Sequence, residues 1–198
     1  MSAVATVVPV TKMLTWQADD GRGLEGTRLL LGSGGFRAMG RMVRAGADGG
    51  FTASYRLIVD DDGMLQRVSL TSATAQRERH LTLNRTEDGF WLVDTGSGAL
   101  RASFDGAVDV DLAHSVMFNT LPIRRLALHR GIEDHILKMV FVTLPELRVQ
   151  LAEQRYSTVS TADDDRSAVI AFTWDEFSAD LVVDTDGVVT ACPGVAKQ

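Results

Sequence analysis

The chain has a single cysteine among its 198 residues, Cys192 near the C-terminus. That excludes a disulfide framework and a cysteine-based zinc site. Long apolar runs are also missing: no stretch approaches the roughly 18 consecutive apolar residues of a spanning helix, so membrane insertion is not expected. The opening run from Ala3 to Val10 is apolar but short, follows no basic segment and is interrupted by Pro9. It makes a poor secretory signal, and a cytoplasmic location is the expectation. Positive charge is in deficit, with 20 Lys and Arg against 26 Asp and Glu and a net charge of −6. A phosphate backbone would be repelled at long range unless a local patch overcame that field, so nucleic acid is not an expected partner. Gly32-Ser-Gly-Gly35 lacks the Lys-Ser/Thr of a phosphate loop, and there is no Gly-x-Ser-x-Gly elbow. No cofactor is implied.

What is present is alternation. Apolar residues make up 45% and charged residues 23%, the composition of an ordinary folded chain. His80-Leu-Thr-Leu-Asn84 alternates polar with apolar, and Tyr55-Arg-Leu-Ile-Val59 ends in a β-branched run; both read as strands. Similar segments run from Leu14 to Val183, and they include Leu121 to Leu128, Ile136 to Val142 and Leu147 to Ser157. Helical spacing is scarce, with a short helical turn expected only around Ser115 to Thr120. Asp20-Gly21, Ser33-Gly34-Gly35, Asp48-Gly49-Gly50, Asp62-Gly63, Asp88-Gly89, Asp105-Gly106 and Asp186-Gly187 punctuate the strands. Asp-Gly suits tight hairpins because glycine reaches positive φ freely and aspartate tolerates it. The expected fold is therefore all-β and antiparallel, about a dozen strands in a single domain over residues 1–198.

Two segments, Leu57 to Leu65 and Leu181 to Val189, share the form apolar strand, Asp-x-Asp-Gly, apolar strand. This admits two related halves or two hairpins that use the same turn chemistry. The loops lack the further oxygen ligands of a calcium site, and no metal is expected.

Several polar groups fall among apolar ones. On a strand, Asp109 and Asp111 share a face, and His114 could join them only if the chain turned after Leu112. His129, Glu133 and His135 could gather near Gly131 but match no specific motif. In Asn119-Thr-Leu-Pro-Ile-Arg-Arg-Leu126, an extended strand would send Arg124 and Arg125 to opposite faces, one of them among apolar side chains. A buried guanidinium needs a carboxylate such as Asp109, Asp111 or Glu153, or else a bound anion. Gln154-Arg155-Tyr156 offers a polar and aromatic cluster with the same two readings. The candidate ligand-binding residues are therefore Arg124, Arg125, Asp109, Asp111, Arg155 and Tyr156.

The chain also carries, in order, Gly23-Leu-Glu25, a strand ending at Asp60, Asp88-Gly-Phe-Trp91, Asp109-Val-Asp-Leu112, the Asn119 to Leu126 segment, Pro145-Glu-Leu147, Gln154-Arg-Tyr156 and Val183-Asp184 followed by Gly187. In these motifs it resembles the bacterial putative glycolipid-binding family, from about Trp16 to the end. Ser115-Val116, Met64-Leu65 and Cys192-Pro-Gly194 depart from the pattern, which bears on local packing more than on fold. The resemblance implies a spiral β-roll similar to bacterial lipoprotein carriers, with a lipid or glycolipid as ligand and no catalytic residues. An enzyme that uses Asp109, Asp111 or His114 on a small amphipathic substrate, and an interaction domain with a filled core, are the alternatives.

Overall fold

The alternation builds what it predicts. Residues 10–32, 34–46 and 49–198 are described by the computed structural model; the run from Ala3 to Pro9 and the turn residues Ser33 and Asp48 lie outside them. The strands are β1 (Val10–Ala18), β2 (Gly23–Leu31), β3 (Phe36–Arg44), β4 (Phe51–Val59), β5 (Leu65–Ala73), β6 (Glu78–Arg85), β7 (Trp91–Asp94), β8 (Ala99–Ala102), β9 (Asp109–Leu112), β10 (Asp134–Val142), β11 (Val149–Ser160), β12 (Ala168–Trp174), β13 (Phe177–Val183), β14 (Val189–Cys192) and β15 (Ala196–Lys197). Fifteen strands among the described residues exceed the expected dozen, because short segments such as β15 carry too few residues to show a period.

All fifteen form one open sheet, running from β8 back to β1, across to β15, and back from β15 to β9. Every neighbouring pair is antiparallel except β9 with β10, which is parallel. That pair departs from the purely antiparallel expectation. The chain between them supplies the crossover: a 3-10 turn at Met117–Asn119 and one α-helix, α1 (Thr120–Arg125).

A flat sheet of this size would be roughly 65 Å wide. Instead a single core joins Trp16 of β1, Leu81 of β6, Trp91 of β7, Val110 of β9 and Ile170 of β12. The sheet curls, and the Trp91 indole N–H donates to the Ala107 carbonyl at 2.9 Å, linking the far end of one half to the start of the other. The volume inside the curl is taken by the chain itself. Val116, Met117, Phe118, Leu121, Ile123 and Leu128 are all buried there, and the Phe118 ring meets Tyr55 edge-on at 5.0 Å.

The helix corrects a sequence expectation: Leu121 to Leu128 is not a strand. Pro122 lies in the first turn of α1, where its missing N–H is one of the orphan donors anyway. A six-residue helix is too short to display a 3.6 period and too short to persist alone, so packing inside the sheet selects it. The expected turn near Ser115 is present. Residues 144–146 form a turn and β11 starts at Val149, so Leu147 and Arg148 precede the strand rather than open it, and Leu151 is exposed. β10 is covered on both faces only from Met139 to Val142, whereas Ile136 is exposed.

The two Asp-x-Asp-Gly turns have the same hydrogen bonds. Asp60 accepts from the backbone N–H groups of Asp62 and Met64, and Asp184 accepts from those of Asp186 and Val188. Gly63 then packs against Arg125, while Gly187 packs against His129 and Arg124. Two identical turns thus flank the end of α1. Among the described residues, no helix is long and apolar enough to cross a membrane.

Candidate functional site

Three carboxyl groups sit inside the curl, and each is tied to the segment that fills it. Glu25 comes from β2, where Glu25, Thr27, Leu29 and Leu31 face inward while Leu24 and Arg28 face out. Its Oε1 accepts from the Tyr55 hydroxyl and the Ser115 hydroxyl, each at 2.6 Å. Its Oε2 accepts from the Val116 N–H at 3.1 Å. Tyr55 OH in turn lies 2.5 Å from Thr27 Oγ1. A Cβ at Gly40, directly beside Tyr55 on β3, would overlap the tyrosine ring. Glycine there is what lets the hydroxyl reach Glu25. Burial raises the Glu25 pKa, partly offset by the hydroxyl and N–H donors.

Asp109 and Asp111 are buried on β9. Asp109 Oδ2 accepts from Arg125 Nε at 3.0 Å and Nη2 at 2.7 Å, while its Oδ1 is buried without a partner. Asp111 accepts from Gln154 Nε2 at 2.6 Å and from the Leu112 N–H at 2.8 Å. Tyr156 OH lies 2.8 Å from Asn119 Oδ1 and 3.0 Å from Gln154 Oε1, so the network reaches the turn before α1. Burial raises the pKa of both aspartates, Asp111 to about 6.

Asp111 therefore makes stability depend on pH. Its folded pKa lies above the unfolded value, so the native state binds more protons between the two. The related stability is present below about pH 4 and is lost as pH rises through about 6, by up to about 3 kcal/mol. Asp111→Asn removes that dependence, and its melting temperature is expected to rise relative to the parent between about pH 4 and pH 7. Parallel melting curves across that window would contradict the assignment.

The remaining sequence candidates separate. Arg124 and Arg125 lie on a helix, not on opposite faces of a strand. Arg125 holds Asp109, the carboxylate reading of that arginine. Arg124 Nη1 donates to the Asp186 carbonyl oxygen, and its guanidinium lies 5.5 Å from the Phe36 ring centre. Arg155 points outward and pairs with Asp134, whereas its neighbour Tyr156 is inside. His135 pairs with Glu133 at 2.6 Å, while His129 is buried against Gly187. The chain does turn after Leu112, yet His114 ends exposed rather than beside the aspartates. Among the described residues, no three His, Cys, Asp or Glu side chains are grouped to hold a metal. Cys192 is buried, and burial pushes its thiol pKa up to about 12.

His114 instead faces a groove of about 570 Å³ lined by Arg44, Phe51, Arg77, Arg79, His114 and Glu146. The Phe51 and His114 rings are 6.2 Å apart. Partial desolvation against the groove wall and the Arg44 charge lower the His114 pKa, which favours the neutral ring. Arg79 Nη1 is buried without a partner. His114, on the groove wall, immediately precedes the buried Ser115, where the interior segment begins. Sequence reasoning missed Glu25 and Arg79, although both occupy the apolar face of an alternating strand, which was a readable signal.

The chain folds as a curled, nearly all-β sheet filled by its own helical segment, with an arginine-lined groove on its surface. The chain belongs to the family described as "Putative glycolipid-binding", which matches residues 13–198. The crystal structure of a DUF1089 family protein from Pseudomonas aeruginosa is similar at 25% identity, covering 100% of this chain and 98% of that one, with a TM-score of 0.71. A β-barrel-like protein of domain of unknown function DUF1849 from Brucella abortus aligns at 12% identity over 93% of this chain and 90% of its own, with a TM-score of 0.47. No curated protein matches the chain.

Proposed function

We propose that this protein binds a lipid or glycolipid without converting it, with the polar head in the groove and the apolar tail in the interior. The observation that carries the reading is the position of the groove. Its arginines, histidine and phenylalanine suit sugar or phosphate oxygens, and one of its walls is His114, the residue just before the buried start of the interior segment. Its volume is in the range of small-molecule sites. Family membership supports the same ligand class.

Because residues 115 to 128 fill the interior, a tail enters only where this segment yields. Its polar tethers favour such an exchange, since a ligand's hydroxyl or phosphate groups can replace hydrogen bonds that the segment gives up. Burying about twelve methylenes at about 0.8 kcal/mol each gives about 10 kcal/mol of gross transfer energy. Association entropy and displacement of the segment take back a large share of this, so polar contacts to the head group must contribute to the affinity. Titration with an environment-sensitive fatty-acyl probe is expected to give saturable binding that a glycolipid displaces. Absence of a saturable signal up to the probe's solubility limit would overturn the reading.

A further inference from the structure

The outer face of the first five strands carries a pattern that the interior does not use. Inward residues there are buried and, apart from a few such as Glu25, Thr27 and Ser72, apolar, so the outward ones are set by something other than the core. Cross-strand register places them in rows. One row reads Met13, Arg28, Met39, Arg56 across β1 to β4. The next reads Leu30, Arg37, Ile58, Arg67 across β2 to β5. Apolar and arginine side chains alternate in both, and Arg41 lies on the same face beside Gly26.

All five arginines are exposed, and Met13 is 71% exposed. None of the five forms an ion pair among the described residues. The alternating outward positions of β1 to β5 hold no aspartate or glutamate; Asp60 and Asp61, just past the end of β4, line a surface groove with Arg37 and Ile58 without pairing with that arginine. Five uncompensated positive charges on one face of a chain with net charge −6 are a local reversal of its field. Such a face attracts a dense, extended array of anions.

We propose that this face docks the protein on the surface of a bilayer containing anionic phospholipid. The arginines span about 15 Å across four strands, matching a broad anionic surface rather than a single small ion. Between them, Met13, Met39 and Ile58 suit the boundary between head groups and acyl chains, where amphipathic surfaces settle. Nucleic acid would gain nothing from those apolar side chains, and the rows contain no aromatic ring on which a base could stack. The docking face is independent of the interior ligand, so either proposal can fail without the other.

Co-sedimentation with vesicles tests it. At low salt the protein is expected to bind vesicles of phosphatidylcholine with phosphatidylglycerol, to ignore phosphatidylcholine alone, and to detach as salt is added. The triple variant Arg28→Gln, Arg41→Gln, Arg56→Gln is expected to lower partitioning about a hundredfold, roughly fivefold per arginine. Its melting temperature, with no buried group altered, stays that of the parent. Met13→Ser with Met39→Ser is expected to weaken binding less. Failure of the parent to bind phosphatidylglycerol vesicles overturns the proposal, as does a folded triple variant that binds like the parent. Vesicle binding absent while an oligonucleotide, an acidic protein or a second copy of the chain binds through these arginines also overturns it.

Discussion

Glu25→Leu is expected to remove about 4 to 6 kcal/mol of folding stability. The substitution leaves the Ser115 hydroxyl and the Val116 N–H buried with no acceptor, and it frees the Tyr55 hydroxyl, which keeps only Thr27. Each stranded donor costs about 1 to 3 kcal/mol. Burial disfavours the charged form of Glu25 and pushes its pKa up, yet the donors around it make removal worse than retention. For a chain of this length, each kilocalorie lowers the melting temperature by about 2 to 4 °C, so a loss of roughly 10 °C or more should appear in a thermal melt. Glu25→Gln, which keeps one acceptor oxygen, loses less. Pairing Glu25→Leu with Tyr55→Phe removes donor and acceptor together and should recover part of the loss. A Glu25→Leu protein as stable as the parent would show that Glu25 does not anchor the interior segment.

The second large effect is expected at Arg125. Arg125→Met deprives buried Asp109 of both its donors, when Asp109 Oδ1 already has none. Breaking a buried ion pair by removing one partner costs about 3 to 5 kcal/mol, mostly from the uncompensated charge. The penalty should shrink in acid, because a protonated Asp109 needs no cation. Arg125→Met combined with Asp109→Val replaces the pair with apolar groups and should be far milder than the single change. Arg124→Met supplies the contrast. It gives up a bond to the Asp186 carbonyl and proximity to Phe36, so about 1 to 2 kcal/mol is expected. Equal melting temperatures for the two arginine variants would refute the distinction between a structural Arg125 and a peripheral Arg124.

That distinction shows where the sequence was readable and where it was not. The strands from Leu14 to Asn84 follow from alternation, and the Asp-Gly turns between them follow from backbone chemistry. The arginine pair did not follow. Leu121 and Ile123 alternate with Thr120 and Pro122 as strand residues do, and only the surrounding sheet makes the segment helical. Asp109 was among the carboxylates expected for a buried arginine, because composition alone limits the partners available. The parallel β9–β10 pair stayed hidden, since four residues between turns carry no sign of their partner strand. Glu25 was within reach: an acid on the same strand face as Leu29 and Leu31 demands buried donors, wherever they come from.

The central claim is that ligand and residues 115 to 128 compete for one volume. Backbone hydrogen exchange, followed with and without saturating fatty-acyl probe, tests it most directly. The account predicts faster exchange from Val116 to Leu128 in the bound protein, while the inward strands β2 to β5 keep their protection. Unchanged exchange throughout that segment, with the probe demonstrably bound, would contradict it.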